Sequence, residues 1–213
     1  GHLYINNHDL TFTDQAAAIG IPAASDEGLL LFDADLDGDF DLVHHDGAVT
    51  RFYRNNAGRL DSGATLAGTA GQTYGFGLNV CDVNGDGYQD IIVAQNDMQA
   101  GTGAPLLLIN GAGNFSASEL TSLPASYIDL IACADLDRNG RPDFLVRSKT
   151  ATSNYQSLMN AAGSPDALRI TVLGAKGERN QQGHVVRVRP LSGSKQTLLR
   201  VVESGSSYMA QDG

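Results

Sequence analysis

Three stretches of this 213-residue chain repeat one alternation: acidic or amide side chains at every second position, a glycine, and a closing aspartate. They are Asp33-Ala34-Asp35-Leu36-Asp37-Gly38-Asp39-Phe40-Asp41, Asp82-Val83-Asn84-Gly85-Asp86-Gly87-Tyr88-Gln89-Asp90 and Asp135-Leu136-Asp137-Arg138-Asn139-Gly140-Arg141-Pro142-Asp143. Their first aspartates lie 49 and then 53 residues apart. In such a loop the side chains at positions 1, 3 and 5 converge and position 7 offers a backbone carbonyl, which suits a hard cation with oxygen ligands. The glycine at position 6 permits the sharp turn because it accepts positive φ without steric cost. Asp, Asn and Gly are ordinary turn residues, so a single match would carry little. Three at a near-constant spacing indicate a calcium chemistry and a repeat architecture together.

What surrounds the loops decides between the folds that use them. Leu29-Leu30-Leu31-Phe32, Leu78-Asn79-Val80-Cys81 and Leu130-Ile131-Ala132-Cys133 precede them, and Leu42-Val43, Ile91-Ile92-Val93 and Phe144-Leu145-Val146 follow. Such short apolar runs predict strands buried on both faces. A helix–loop–helix calcium hand needs a bidentate Glu at position 12. Here position 12 is His44, Val93 and Val146. Paired loop–helix modules repeat every ~24 residues, half the spacing seen here. A further phrase recurs after each loop: Phe52-Tyr53-Arg54-Asn55-Asn56, Leu107-Leu108-Ile109-Asn110-Gly111 and Ser157-Leu158-Met159-Asn160-Ala161. It also opens the chain, as Leu3-Tyr4-Ile5-Asn6-Asn7. A strand, an Asn/Gly turn and a second strand predict a hairpin. The third copy lacks the Gly113-Asn114-Phe115 continuation of the second. Each unit of about fifty residues is then close to a four-stranded propeller blade. The fold class is all-β, with propeller-type blades and a small C-terminal β module.

From Ala167 onward the pattern changes, with strand-like runs at Leu168–Val172, His184–Arg189 and Thr197–Val202 and no acidic loop. We place a boundary near residue 165, at Gly163-Ser164-Pro165. The formal charge is −10, from 24 acids against 14 Lys and Arg, and eleven of the acids lie in the three loops. Three divalent ions would leave about −4, so the acidity is local. No basic stripe suits nucleic-acid phosphates. Arg179 to Arg200 reads as the exposed face of strands. No run is long enough to span a membrane and no signal peptide is visible; a signal would lie upstream of the first strand.

Cys81 sits one residue before its loop and Cys133 two before. On alternating strands these offsets point to opposite faces, which favours two buried free thiols over a disulfide. His44-His45-Asp46 reads as a strand-end polar cluster, since no further metal ligand follows at useful spacing. Asn114-Phe115-Ser116 is a sequon placed where the repeat needs a turn. Tyr4, Phe12, Phe52, Tyr53, Tyr74 and Phe76 read as blade packing rather than a sugar platform. No Gly-x-Ser-x-Gly elbow, His-Glu-x-x-His pair or acid pair outside the loops stands out, so no catalytic residue is assigned.

The loops, their period and the Leu-Tyr-x-Asn-Asn-(x)4-Phe-Thr phrase resemble the FG-GAP/VCBS repeats of integrin-α-like β-propellers over residues 1–165, with a half blade at 1–20 and loops at 33–41, 82–90 and 135–143. Gly75-Phe76-Gly77 preserves the Phe-Gly element. Residues 166–213 resemble an incomplete ASPIC/UnbV module through Leu173-Gly174, Arg179-Asn180-Gln181-Gln182-Gly183, Val186-Arg187-Val188 and Ser204–Gln211, without its usual tryptophan or Gly-Leu-Gly ending. The resemblance implies up to three Ca2+ ions. Site one would use Asp33, Asp35, Asp37 and Asp41 with the carbonyl of Asp39. Site two would use Asp82, Asn84, Asp86 and Asp90 with the carbonyl of Tyr88. Site three would use Asp135, Asp137, Asn139 and Asp143 with the carbonyl of Arg141, whose side chain must swing outward. Sites two and three each replace one carboxylate by Asn, so site one is expected to bind most tightly.

It further implies a non-enzymatic, extracellular, periplasmic or cell-surface module in which calcium is structural and a protein or glycan partner docks on the loop face. A carbohydrate-binding propeller and the non-catalytic part of a secreted polysaccharide-active enzyme are the alternatives. Neither nucleic acid nor membrane insertion is expected. Three loops and half a blade are few for a closed ring, so self-association through unclosed propeller edges is expected too.

Overall fold

Apolar runs broken every few residues by Asp/Gly turns form short antiparallel strands, because the turns return the chain before a helix can propagate. The computed structural model describes residues 2–19, 28–45, 49–66, 74–96, 105–120, 128–148, 154–160, 170–177, 185–189 and 198–201. A hairpin of β1 (Tyr4–Asn6) and β2 (Phe12–Asp14) is followed by one helical turn, α1 (Ala16–Ile19). Blade one is β3 (Gly28–Phe32), β4 (Asp41–His45), β5 (Thr50–Tyr53) and β6 (Ala64–Thr65) in simple up-and-down order. Blade two repeats it with β7 (Tyr74–Cys81), β8 (Asp90–Asn96), β9 (Leu106–Asn110) and β10 (Phe115–Glu119). Blade three contains β11 (Ile128–Ala134), β12 (Asp143–Ser148) and β13 (Asn154–Leu158) among the described residues. A separate hairpin pairs β14 (Val185–Val188) with β15 (Leu198–Val201). The chain is thus nearly all β, arranged as propeller-type blades.

The blades stack face to face, with β3 against β7 and β7 against β11. Strand β8 meets the expectation of burial on both faces, whereas β3 is buried on one face only. Ile91 and Val93 enter one core with Leu30, Phe32, Val43 and Phe52 of blade one. Their neighbours Ile92 and Ala94 enter a second core with Ile128, Ile131, Phe144 and Val146 of blade three. Phe52 meets Phe115 edge-on across the first interface, ring centroids 5.0 Å apart. Leu29 and Leu31 of blade one remain more than half exposed.

Two expectations need correction. Cys81 and Cys133 form a disulfide between β7 and β11, Cα atoms 6.6 Å apart. The opposite offsets bring the two cysteines together instead of keeping them apart. In stacked sheets the back of one blade meets the front of the next, so side chains on opposite faces of equivalent strands point at each other. Tyr4 and Phe12 are each 60% exposed, so they do not pack a blade as Phe52 and Tyr53 do. The side chains of Tyr74 and Phe76 lie outside the described residues, as do the boundary near 165 and most of 166–213. Within that region β14 and β15 match two expected strands, whereas residues 170–173 are not strand.

Candidate functional site

The three nonapeptides occupy the same place in each blade, linking its first strand to its second. Phe32 pairs with Asp41, Cys81 with Asp90 and Ala134 with Asp143, so one register frames every loop. Positions 4 and 6 adopt positive φ throughout: Leu36, Gly85 and Arg138, then Gly38, Gly87 and Gly140. The glycine at position 6 meets the expected demand for a left-handed turn.

A common hydrogen-bond scheme shapes the loops. The position-1 carboxylate accepts N–H groups from positions 5 and 6: Asp33 from Asp37 and Gly38 at 3.1 and 3.2 Å, Asp82 from Asp86 and Gly87 at 3.0 and 2.8 Å, Asp135 from Asn139 and Gly140 at 3.0 Å each. Position 5 then accepts from the N–H of position 7, pairing Asp37 with Asp39, Asp86 with Tyr88 and Asn139 with Arg141. These are Asx turns, in which a short polar side chain replaces a backbone partner. They gather the acidic side chains. Carboxylate oxygens of Asp33, Asp35 and Asp37 lie within 4.8 Å of one another, as do those of Asp135, Asp137 and Asp143. In loop two Asn84 Nδ2 donates to Asp86 Oδ2 at 2.9 Å.

Position 9 is built differently. Asp41, Asp90 and Asp143 are fully buried. Each accepts the N–H of position 2 on one oxygen, from Ala34, Val83 and Leu136 at 2.8–3.0 Å. The other oxygen accepts the N–H of Asn55, Asn110 or Asn160, at 2.7–2.8 Å. Position 9 therefore clamps the loop entrance to the blade's third strand. These asparagines were legible only as turn residues. Their recurrence after each loop, 14, 20 and 17 residues beyond the position-9 aspartate, is visible in the repeated phrase; their pairing with that aspartate is not.

Two arginines also reach the loops. Arg54 Nη1 lies 3.3 Å from Asp35 Oδ2, and its Nη2 donates to the carbonyl of Gly113 in blade two. Arg141 does swing away from its own loop, and Nη1 donates to the Asn84 carbonyl of loop two at 3.2 Å. Arg54 offsets part of the charge that distinguishes loop one. His44 and His45 are buried inside β4, and His45 Nδ1 lies 3.0 Å from Thr50 Oγ1.

The donor set is all oxygen and suits a hard divalent cation. One structural detail supports that fit: Asp35 Oδ1 is buried with no hydrogen-bond partner. Burial, reinforced by neighbouring acids and opposed by the two N–H bonds, pushes the Asp41 and Asp90 carboxyls up to about 6. Burial also raises Asp33. A raised carboxyl in the fold holds its proton more tightly than in the unfolded chain, so folding is favoured as pH falls through that value. With chelator present, the unfolding free energy from urea titration should therefore rise from pH 7 to pH 5, by ~1 kcal/mol for each of Asp41 and Asp90, and the midpoint with it. The lowered carboxyls Asp9 and Asp14 act below that window. A midpoint falling steadily across it contradicts the assignment.

A family model described as an FG-GAP-like repeat matches residues 82–146, the span of loops two and three. The chain is similar to integrin alpha-7 of Homo sapiens, 33% identical over 117 residues, covering 49% of this chain and 10% of that protein. The Rattus norvegicus integrin alpha-7 aligns with the same identity and coverage. The chain thus spans about a tenth of the length of the curated relatives it matches. Among the described residues no helix is long and apolar enough to cross a membrane.

Proposed function

We propose that this chain is a non-enzymatic propeller segment whose loops are stapled by calcium and whose blades present a surface for a protein or glycan partner outside the cytosol. The observation that carries it is the triplicated loop, in which one hydrogen-bond scheme recurs three times and brings carboxylates together within 4.8 Å in loops one and three. An aspartate cluster without a cation is under mutual repulsion, and a bound divalent ion relieves it. Site one would take Asp33, Asp35, Asp37 and Asp41 with the Asp39 carbonyl, site two Asp82, Asn84, Asp86 and Asp90 with the Tyr88 carbonyl, and site three Asp135, Asp137, Asn139 and Asp143 with the Arg141 carbonyl, each position-9 carboxylate also bracing its loop. The bound ion would supply charge neutralisation and stiffness, with no chemistry beyond that. An extracellular, periplasmic or cell-surface location is supported by the Cys81–Cys133 disulfide, since such bonds persist in oxidising compartments. The similarity to integrin alpha-7 supports the interaction role. The C-terminal region belongs in this reading to an ASPIC/UnbV-like module, with the β14–β15 hairpin as part of it. The half-exposed Leu29 and Leu31 support self-association through the open blade faces.

Calorimetric calcium titration with urea unfolding tests the cation reading. At ten times the dissociation constant each occupied site adds ~1.4 kcal/mol, so three give ~4 kcal/mol over the chelated protein. Single Asp→Ala variants at Asp37, Asp86 and Asp137 should rank loop one tightest. Heat-silent titration and a urea midpoint indifferent to chelator overturn the reading. Glycan and matrix-protein binding screens, run with and without chelator, identify the partner class.

A further inference from the structure

A single hydrogen-bonded thread, buried at its loop-one to loop-two link and partly buried elsewhere, runs through all three loops. Asp143 Oδ1 accepts from Asn160 N–H, and Asn160 Nδ2 donates to the carbonyl of Val83 in loop two at 3.1 Å. Val83 N–H donates to Asp90 Oδ2, whose Oδ1 accepts from Asn110 N–H. Asn110 Nδ2 donates to the carbonyl of Ala34 in loop one at 2.8 Å. Ala34 N–H donates to Asp41 Oδ2, and Asp41 Oδ1 accepts from Asn55 N–H. Asn110 and Asn160 thus each join their own loop's closing aspartate to position 2 of the preceding loop, while Asn55 donates its side-chain amide to the Phe40 carbonyl of its own loop.

Position 2 is where a neighbour's grip matters. Ala34 lies between Asp33 and Asp35, and Val83 lies between Asp82 and Asn84. Moving those side chains onto an ion rotates the intervening peptide units, whose N–H and C=O are both held by the thread. Asn110 has little freedom to follow. It is fully buried, its Nδ2 also donates to the Gln89 carbonyl at 2.9 Å, and its Oδ1 accepts from Gly113 N–H at 2.8 Å. Breaking any of these bonds leaves a buried polar group unpaired.

We infer that Asn110 and Asn160 are positioning residues that couple the cation sites in sequence, loop one to loop two and loop two to loop three, so that an ion in one loop raises its neighbour's affinity. The inference rests on the calcium reading above. Coupling of this kind is reciprocal, so each loop of a pair helps the other equally. The two links differ in strength. The disulfide joins the strands entering loops two and three, and Arg141 bridges the same pair. Loops one and two share no covalent bridge; beside Asn110, Arg54 ties the loop-one acid Asp35 to Gly113 of blade two. Removing Asn110 should therefore decouple its pair more completely than removing Asn160.

The amides of Gly38, Gly87 and Gly140 report the three loops separately in an NMR calcium titration of the whole chain. Asp86→Ala weakens loop two, and we expect it to lower the loop-one affinity about five-fold or more. In an Asn110→Ala background the same substitution should change loop one by less than about two-fold. Asn160→Ala serves as a matched control, since it removes an equivalent bond without touching the link between loops one and two. Loop one must stay sensitive to Asp86→Ala there. If Asn110→Ala does not fold, Asn110→Ser keeps a short polar side chain as acceptor for Gly113 while being too short to donate to Ala34. Amide hydrogen exchange at Ala34 gives a second readout: with calcium bound, Asp86→Ala should speed it only when Asn110 is present. A loop-one affinity indifferent to Asp86→Ala, or equally sensitive in both backgrounds, overturns the coupling alone. Calcium that moves none of the three glycines overturns the cation reading, and the coupling with it.

Discussion

Asp90→Ala is expected to destabilise the cation-free protein by about 2–4 kcal/mol, because it orphans the buried Asn110 N–H and the half-buried Val83 N–H at once, a buried donor being worth ~1–3 kcal/mol. The donors are those of Val83 and Asn110, and both lose their only acceptor in the thread. Against this stands the relief of removing a buried carboxylate whose pKa burial has raised to about 6. That relief keeps the net effect below the sum of the two lost bonds. Asp90→Asn separates the contributions. It keeps the shape and one acceptor oxygen and removes the charge, but sets its amide nitrogen against the second donor, so about half the loss should remain. The exposed Asp86 makes the contrast: Asp86→Ala in chelator should stay within ~1 kcal/mol of the parent, as surface substitutions generally do. Urea unfolding of the three variants in chelator checks the series. An Asp90→Ala protein within ~1 kcal/mol of the parent would show that the clamp carries little of the blade's stability.

The contrast between Asp86 and Asp90 also marks the limit of what the sequence discloses. Position, spacing and the apolar continuation identify the loops, their ligand-type side chains and their β surroundings, because all of these are local to nine residues and their flanks. The clamp is not local. Asn110 reaches Ala34 across 76 residues and Asn160 reaches Val83 across 77, and no single repeat contains both partners. An asparagine after a strand satisfies turn chemistry equally well whether or not its side chain crosses to another blade. Arg54 was hidden for the same reason, since its two partners lie in different blades. The exposure of Tyr4 and Phe12 has a related origin. The phrase around Asn6 copies that around Asn110, and Asn6 pairs with Phe12 much as Asn110 pairs with Phe115. A copied hairpin inherits the strand pattern, while burial depends on a neighbouring strand such as β8, which the pattern does not contain.

Replacing Cys81 and Cys133 together by alanine should cost about 4 kcal/mol, the chain-entropy value for cross-linking residues 52 apart. The bridge joins β7 to β11, so it closes a loop that spans most of blade two and the entry to blade three. Its loss frees the unfolded chain more than it disturbs the fold, because both cysteines border an interface already filled by Ile92, Ile131 and Phe144. The denaturant slope distinguishes this cause from lost packing. An unfolded state released from the cross-link exposes more surface, so the m-value should rise as the midpoint falls. Lost packing alone would lower the midpoint at constant slope. The same double variant bears on the cation sites, since Asp82 follows Cys81 directly and Asp135 lies two residues beyond Cys133. Loops two and three should bind calcium more weakly without the bridge; loop one, coupled to loop two through Asn110, should weaken less, and in an Asn110→Ala background should be little changed. A variant that loses affinity equally in all three loops would place the bridge's effect in the blades as a whole instead of at the two strands it joins.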